Sequence, residues 1–121
     1  MAENPDTSGS STPAVNGVYT IPAGASLTLV LGGTGYRPAI LRKLTLDSPS
    51  ADFALCTVTF STPSTGKSFQ LGTNYPARAF APGSFNTPQL HVAINSTVTT
   101  NCIVTNGGAA AVALTVGVEL N

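Results

Sequence analysis

The last stretch of the chain alternates without a break. Val112, Leu114, Val116, Val118 and Leu120 share one phase, and Ala113, Thr115, Gly117 and Glu119 share the other. A period of two is the period of a β-strand, because successive side chains leave opposite faces of a sheet. Five branched aliphatics on one face set the register of this strand, since a one-residue slip would turn them all to water.

The same period runs upstream in shorter pieces. Val18–Ile21 ends at Pro22, and Pro22-Ala23-Gly24 is turn chemistry. Leu27, Leu29 and Leu31 alternate with Ser26, Thr28 and Val30 up to Gly32-Gly33-Thr34-Gly35. Ile40, Arg42, Leu44 and Leu46 oppose Leu41, Lys43 and Thr45, which puts one base on each face and places one of them near a strand end. Asp47-Ser48-Pro49-Ser50 closes that segment. Ala54, Cys56, Val58 and Phe60 form the next inward set, and Lys67–Leu71 a short strand with Phe69 and Leu71 in phase. Leu90, Val92 and Ile94 follow, then Val98, Cys102 and Val104 across a tight Asn95-Ser96-Thr97 link. Asn106-Gly107-Gly108 reads as a β-hairpin, because Asn and Gly tolerate the positive φ of a primed turn.

These segments make eight strands and no helical stretch, and the 17 Thr and 11 Ser suit strand faces that meet water. The pattern predicts an all-β fold, an eight-stranded antiparallel β-sandwich of jelly-roll type over residues 17–121, preceded by an extended arm over residues 1–16. The immunoglobulin alternative lacks its Trp between two Cys, and two Gly/Pro-rich connections are long enough to cross between sheets. Leu29, Leu44, Val58, Val92, Ile94, Leu114, Val116 and Val118 are the expected core. The arm, rich in Ser, Thr, Pro and Asn, is either a flexible terminus or a strap that orders on a partner.

Charge narrows the function. Asp, Glu, Lys and Arg make up 8% of the chain, net charge is zero and the pI is near 6.5, against about one quarter charged in an ordinary domain. A chain without a basic stripe does not suit nucleic acid, whose affinity rests on phosphate neutralisation. No polybasic or amphipathic helix offers a membrane anchor, and no apolar run reaches the roughly 18 residues of a membrane span. Residues 1–16 lack a basic n-region and an apolar h-region, so synthesis in a cytoplasm with reduced thiols is expected, and Asn95-Ser96-Thr97 reads as an accidental glycosylation pattern.

Few residues are left for chemistry. Gly66-Lys67-Ser68 lacks the upstream Gly and following helix of a phosphate loop, and Gly32-Gly33-Thr34-Gly35 has no βαβ unit around it. His91 is the single histidine, on the outward phase of its strand, and no Gly-x-Ser-x-Gly elbow accompanies it. Asp47 and Asp52 flank a turn and read as turn formers rather than calcium ligands. Cys56 and Cys102 lie in inward phases, which leaves a disulfide, metal ligation or buried thiols open. A zinc site wants four ligands, so no metal and no cofactor is expected. Tyr19, Tyr36 and Tyr75 sit near strand ends or in loops, which leaves a sugar site at a loop tip as a minor reading. The connection Gly72–Pro88 carries Tyr75, Phe80 and Phe85 with Arg78 as its only charge. An apolar loop of that length reads as a protein contact.

Taken together, the chain resembles the small jelly-roll decoration (cement) proteins of tailed-phage capsids. The resemblance lies in the polar arm before Asn16-Gly17-Val18-Tyr19-Thr20-Ile21-Pro22, the Thr-rich uncharged strands, and the closing Ala111–Leu120 strand after Asn106-Gly107-Gly108. It implies a non-enzymatic homotrimer on the virion surface that binds the major capsid protein and clamps neighbouring capsomers. The alternative is a receptor- or glycan-binding tip domain of a viral fibre or surface appendage. An enzyme would need a pocket gathering His91 with Asp47 or Asp52.

Overall fold

The structure is a computed structural model and describes residues 16–33, 38–61, 68–69, 75–83, 90, 92–94, 96–97 and 99–120. The strands are β1 (Gly17–Ile21), β2 (Ser26–Gly32), β3 (Ala39–Asp47), β4 (Cys56–Ser61), β5 (Ser68–Phe69), β6 (Tyr75–Pro76), β7 (Val92–Ile94), β8 (Thr99–Asn106) and β9 (Val112–Leu120). Two single-turn 3-10 helices, Ala51–Leu55 and Ala77–Phe80, are the only helical pieces among the described residues.

One sheet has the order β1-β9-β3-β7 and the other β2-β8-β4-β5, with β6 also on β4. β5 stands opposite Phe60 and Ser61, and β6 opposite Thr57 and Val58, so the two are halves of one interrupted edge strand. All pairings are antiparallel. Pairing is nested: first strand with last, second with second last, third with third last, the fourth with its own neighbour. That is the winding of a jelly roll, so the eight-stranded all-β sandwich expected from the alternation is the fold.

The core forms where the inward phases meet. All five aliphatics of β9 are buried, as are Leu29, Leu31, Leu44, Leu46, Val58, Phe60, Val92, Ile94 and Val104. A continuous apolar layer between two sheets is what holds such a sandwich together.

Four local expectations need correction. Arg42 and Lys43 do not divide between the faces of β3. A β-bulge between Leu41 and Lys43 shifts the register, so Leu41 opposes Leu120 while Lys43 opposes Glu119. The extra residue buries both Leu41 and Leu44 and leaves both bases outside, a common use of a bulge. Ala54 is exposed, because residues 51–55 turn as a 3-10 helix that buries Phe53 instead. Crossing is not confined to two long connections. The loop at residues 22–25 already carries the chain from one sheet to the other.

The Asn106-Gly107-Gly108 segment is not a hairpin, since β8 and β9 lie in different sheets. Asn106 ends β8 with no solvent exposure. Its side-chain amide donates to the carbonyls of Ile21 (2.9 Å), Pro22 (3.3 Å) and Ala110 (2.9 Å), and its oxygen accepts from the Gly108 N–H (2.9 Å). One side chain therefore ties the end of β1 to the crossing into β9. The glycines serve close approach here. A Cβ on Gly107 would lie 2.8 Å from the Leu55 carbonyl oxygen, and one on Gly108 would collide with the Asp52 side chain.

Candidate functional site

The residues expected to form a protein contact do not act as one exposed cluster. The chain leaves β6 toward the Cys56 end of β4, since Pro76 opposes Thr57 and Tyr75 opposes Val58. It then closes into the 3-10 turn Ala77–Phe80, which packs on β3, β4 and the turn Ala51–Leu55. Phe80 is 2% exposed and belongs to the core, so its assignment to a contact surface is wrong. Tyr75 is half-buried and meets Phe80 edge-on, with ring centroids 6.0 Å apart. The described part of this connection, residues 75–83, folds back on its own sandwich through Phe80, an outcome composition cannot distinguish from covering by a partner. Arg78 remains exposed. Phe85 and His91 lie outside the described residues, as do Tyr36, residues 1–15 and residues 62–67.

Cys56 and Cys102 are both free and buried. Cys102 opposes Phe60 and Cys56 opposes Asn106, four steps apart on one ladder. At roughly 3.4 Å per residue that is about 14 Å, twice the roughly 7 Å beyond which two Cα atoms cannot be bridged. Burial pushes the Cys102 thiol up to about 12. The Cys56 thiol is also raised, by burial first and the charge of Asp52 second, and donates to the Asp52 carbonyl at 3.6 Å. Neutral, enclosed thiols are neither nucleophiles nor ready metal ligands.

The two acids near the β3–β4 connection serve the backbone. Asp47 Oδ1 accepts from the Ser48 N–H at 2.9 Å, and Asp52 Oδ2 from the Ala110 N–H at 2.8 Å. Among the described residues no group of three His, Cys, Asp or Glu converges on a point, and no helix is long and apolar enough to cross a membrane.

What the fold does build is two unlike faces. The outer face of the β1-β9-β3-β7 sheet carries exposed Arg42, Lys43, Asp47 and Glu119. Among the described residues, the strands of the other sheet carry no charged residue. Across it run the rows Ser26–Thr105–Thr57, Thr28–Ile103–Thr59 and Val30–Asn101. Hydroxyls there bond laterally, as in the 2.8 Å Ser26–Thr105 pair, and Val30 is 47% exposed at the edge. Such a face carries almost no desolvation cost for charge, which suits contact with another protein surface. Asn16 supports the edge of the opposite sheet: its Oδ1 accepts from the Val118 N–H at 2.8 Å, continuing the β1 ladder beyond the Gly17–Val116 pair.

No family model matches this chain, and no curated protein and no solved structure matches it.

Proposed function

We propose that the protein is a non-enzymatic virion structural protein, a decoration or cement protein that binds the outer capsid lattice and stabilises it as a homotrimer. The observation that carries this reading is the unequal charging of the two sheets. One face carries charge to water; the described strands of the other present hydroxyl, amide and aliphatic groups. A free-standing monomer gains nothing from leaving the described strands of one sheet uncharged, and at zero net charge it risks association. A subunit laid repeatedly on a shell has that face covered, and multiplicity makes each modest contact sufficient. In this reading the partner is the major capsid protein, no cofactor or nucleic acid takes part, and the protein is made in the host cytoplasm before joining the capsid surface. The glycan-binding alternative draws less support. Among the residues whose exposure is described, Phe53, Phe60 and Phe80 are buried, while Tyr19 and Tyr75 are half-buried, so none of these five offers an open aromatic platform.

Co-sedimentation with capsids assembled from the major capsid protein of the same virion tests the proposal. The wild type is expected to pellet with the particles, and Thr28→Lys with Ile103→Lys to stay in the supernatant while keeping the wild-type melting temperature. Undiminished pelleting of that double variant would remove the face from the reading.

A further inference from the structure

The end of the sandwich where the β1–β2, β3–β4 and β8–β9 connections meet is apolar and exposed. Pro22, Ala23, Leu55, Ala109, Ala110 and Ala111 face water there, and Leu55 is 54% exposed. These loops are tied to one another. The Gly24 N–H donates to the Asn106 carbonyl (2.9 Å) and the Gly107 N–H to the Leu55 carbonyl (3.2 Å). The Ala110 N–H donates to Asp52, and buried Asn106 fastens Ile21, Pro22 and Ala110 from within. The 3-10 turn Ala77–Phe80 packs on the turn Ala51–Leu55, which brings Arg78 to the same end.

We propose that this loop end is the contact between copies of the protein, with Leu55 as its apolar anchor and Arg78 of one copy facing Asp52 of the next. The inference rests on the homo-oligomeric part of the proposed function and says where that contact lies. Three observations favour a second copy as the occupant. First, the end presents the cation Arg78 together with the acids Asp47 and Asp52, so a second copy brings counter-charges for both signs. Second, Arg78 is exposed with no ion-pair partner among the described residues, and Asp52 spends one oxygen on Ala110 while a carboxylate has acceptor capacity to spare. Third, the surface next to the protruding Leu55 includes the short side chains of Ala23, Ala109, Ala110 and Ala111 with Pro22. A surface of short side chains on mutually bonded loops meets its own copy with little rearrangement or side-chain ordering cost. Arg is also over-represented among residues that dominate interface energies.

The test is the mass of the purified full chain in solution by light scattering, at micromolar concentration and below, with capsid co-sedimentation run in parallel. The wild type is expected to be oligomeric. Leu55→Glu and Arg78→Glu are each expected to raise the dissociation constant at least tenfold while keeping a cooperative unfolding transition. Thr28→Lys should keep the wild-type mass and lose capsid attachment. A wild type that is monomeric yet pellets with capsids would overturn the self-contact and leave the capsid reading standing. An oligomer dispersed by Leu55→Glu that never pellets would do the reverse. An oligomer unmoved by both loop-end variants would overturn the assignment, as would loss of capsid attachment in Leu55→Glu alongside a monomeric wild type, which would give this end to the capsid instead.

Discussion

Asn106→Ala is the substitution expected to cost this fold most for its size. Asn106 is fully buried, and its side chain makes three bonds at 2.9 Å, to Ile21, Ala110 and Gly108, plus a longer one at 3.3 Å to Pro22. Truncation leaves two or three backbone carbonyls and one N–H without their partner. Each buried polar group so orphaned costs about 1–3 kcal/mol. Allowing for some relaxation and water entry, the loss should be about 3–6 kcal/mol, a large part of the roughly 5–15 kcal/mol that holds an ordinary domain folded. Asn106→Asp should be no better near pH 7, because it points a carboxylate at three carbonyl oxygens. Its protonated form can donate again, and burial raises the carboxyl pKa, so this variant should gain stability as pH falls toward about 4. Urea unfolding reads the difference as a drop in midpoint at constant slope. Asn101→Ala, half-buried on the outer phase of the same strand, is the control and should change stability by less than about 1 kcal/mol. A loss below about 1 kcal/mol for Asn106→Ala would refute the view that this side chain ties the two crossings together.

Phe80→Ala should lower stability by about 3–5 kcal/mol and leave the oligomeric mass unchanged whenever the chain is folded, and Leu114→Ala should cost about 2–5 kcal/mol, both by denaturant titration. Gly107→Ala should destabilise by about 1–3 kcal/mol through overlap with the Leu55 carbonyl, whereas Gly24→Ala meets no atom within 4 Å and bears only the cost of its φ of +73°. A thiol reagent should label Cys56 and Cys102 only after denaturation, and a reductant should leave the melting temperature unchanged. The folded Cys102 thiol titrates near 12 against a reference of 9.0, so the unfolded chain ionises first. The Cys102 contribution to stability is therefore full below pH 9 and is lost as pH climbs from 9 toward 12. Replacing Cys102 with Ala should flatten that fall, and an unchanged alkaline slope would contradict it.

Periodicity along the chain was enough to establish the strand class, most strand positions and the buried phase of β2, β4, β7 and β9, because which side of a strand meets water is a local, two-residue property. The scarcity of charge was equally legible, and so was the inward placement of Cys56 and Cys102. Pairing was not. Whether Asn106-Gly107 makes a hairpin or a crossing depends on which sheet offers a free edge to β9, and the nested jelly-roll order sends it to β1 and β3. The bulge at Arg42 has no signature of its own in the alternation. It appears only once Leu41 and Leu44 must both reach a core whose far wall is set by other strands. Phe80 was misplaced for the same reason. An apolar loop announces that it will be covered, but the cover of Phe80, here β3 and β4 of the same chain, exists only after the sheets have closed. The two unlike faces combine both sources. The charges are written in β3 and β9, and it is tertiary pairing that gathers those strands into one sheet and leaves the described strands of the other without charge.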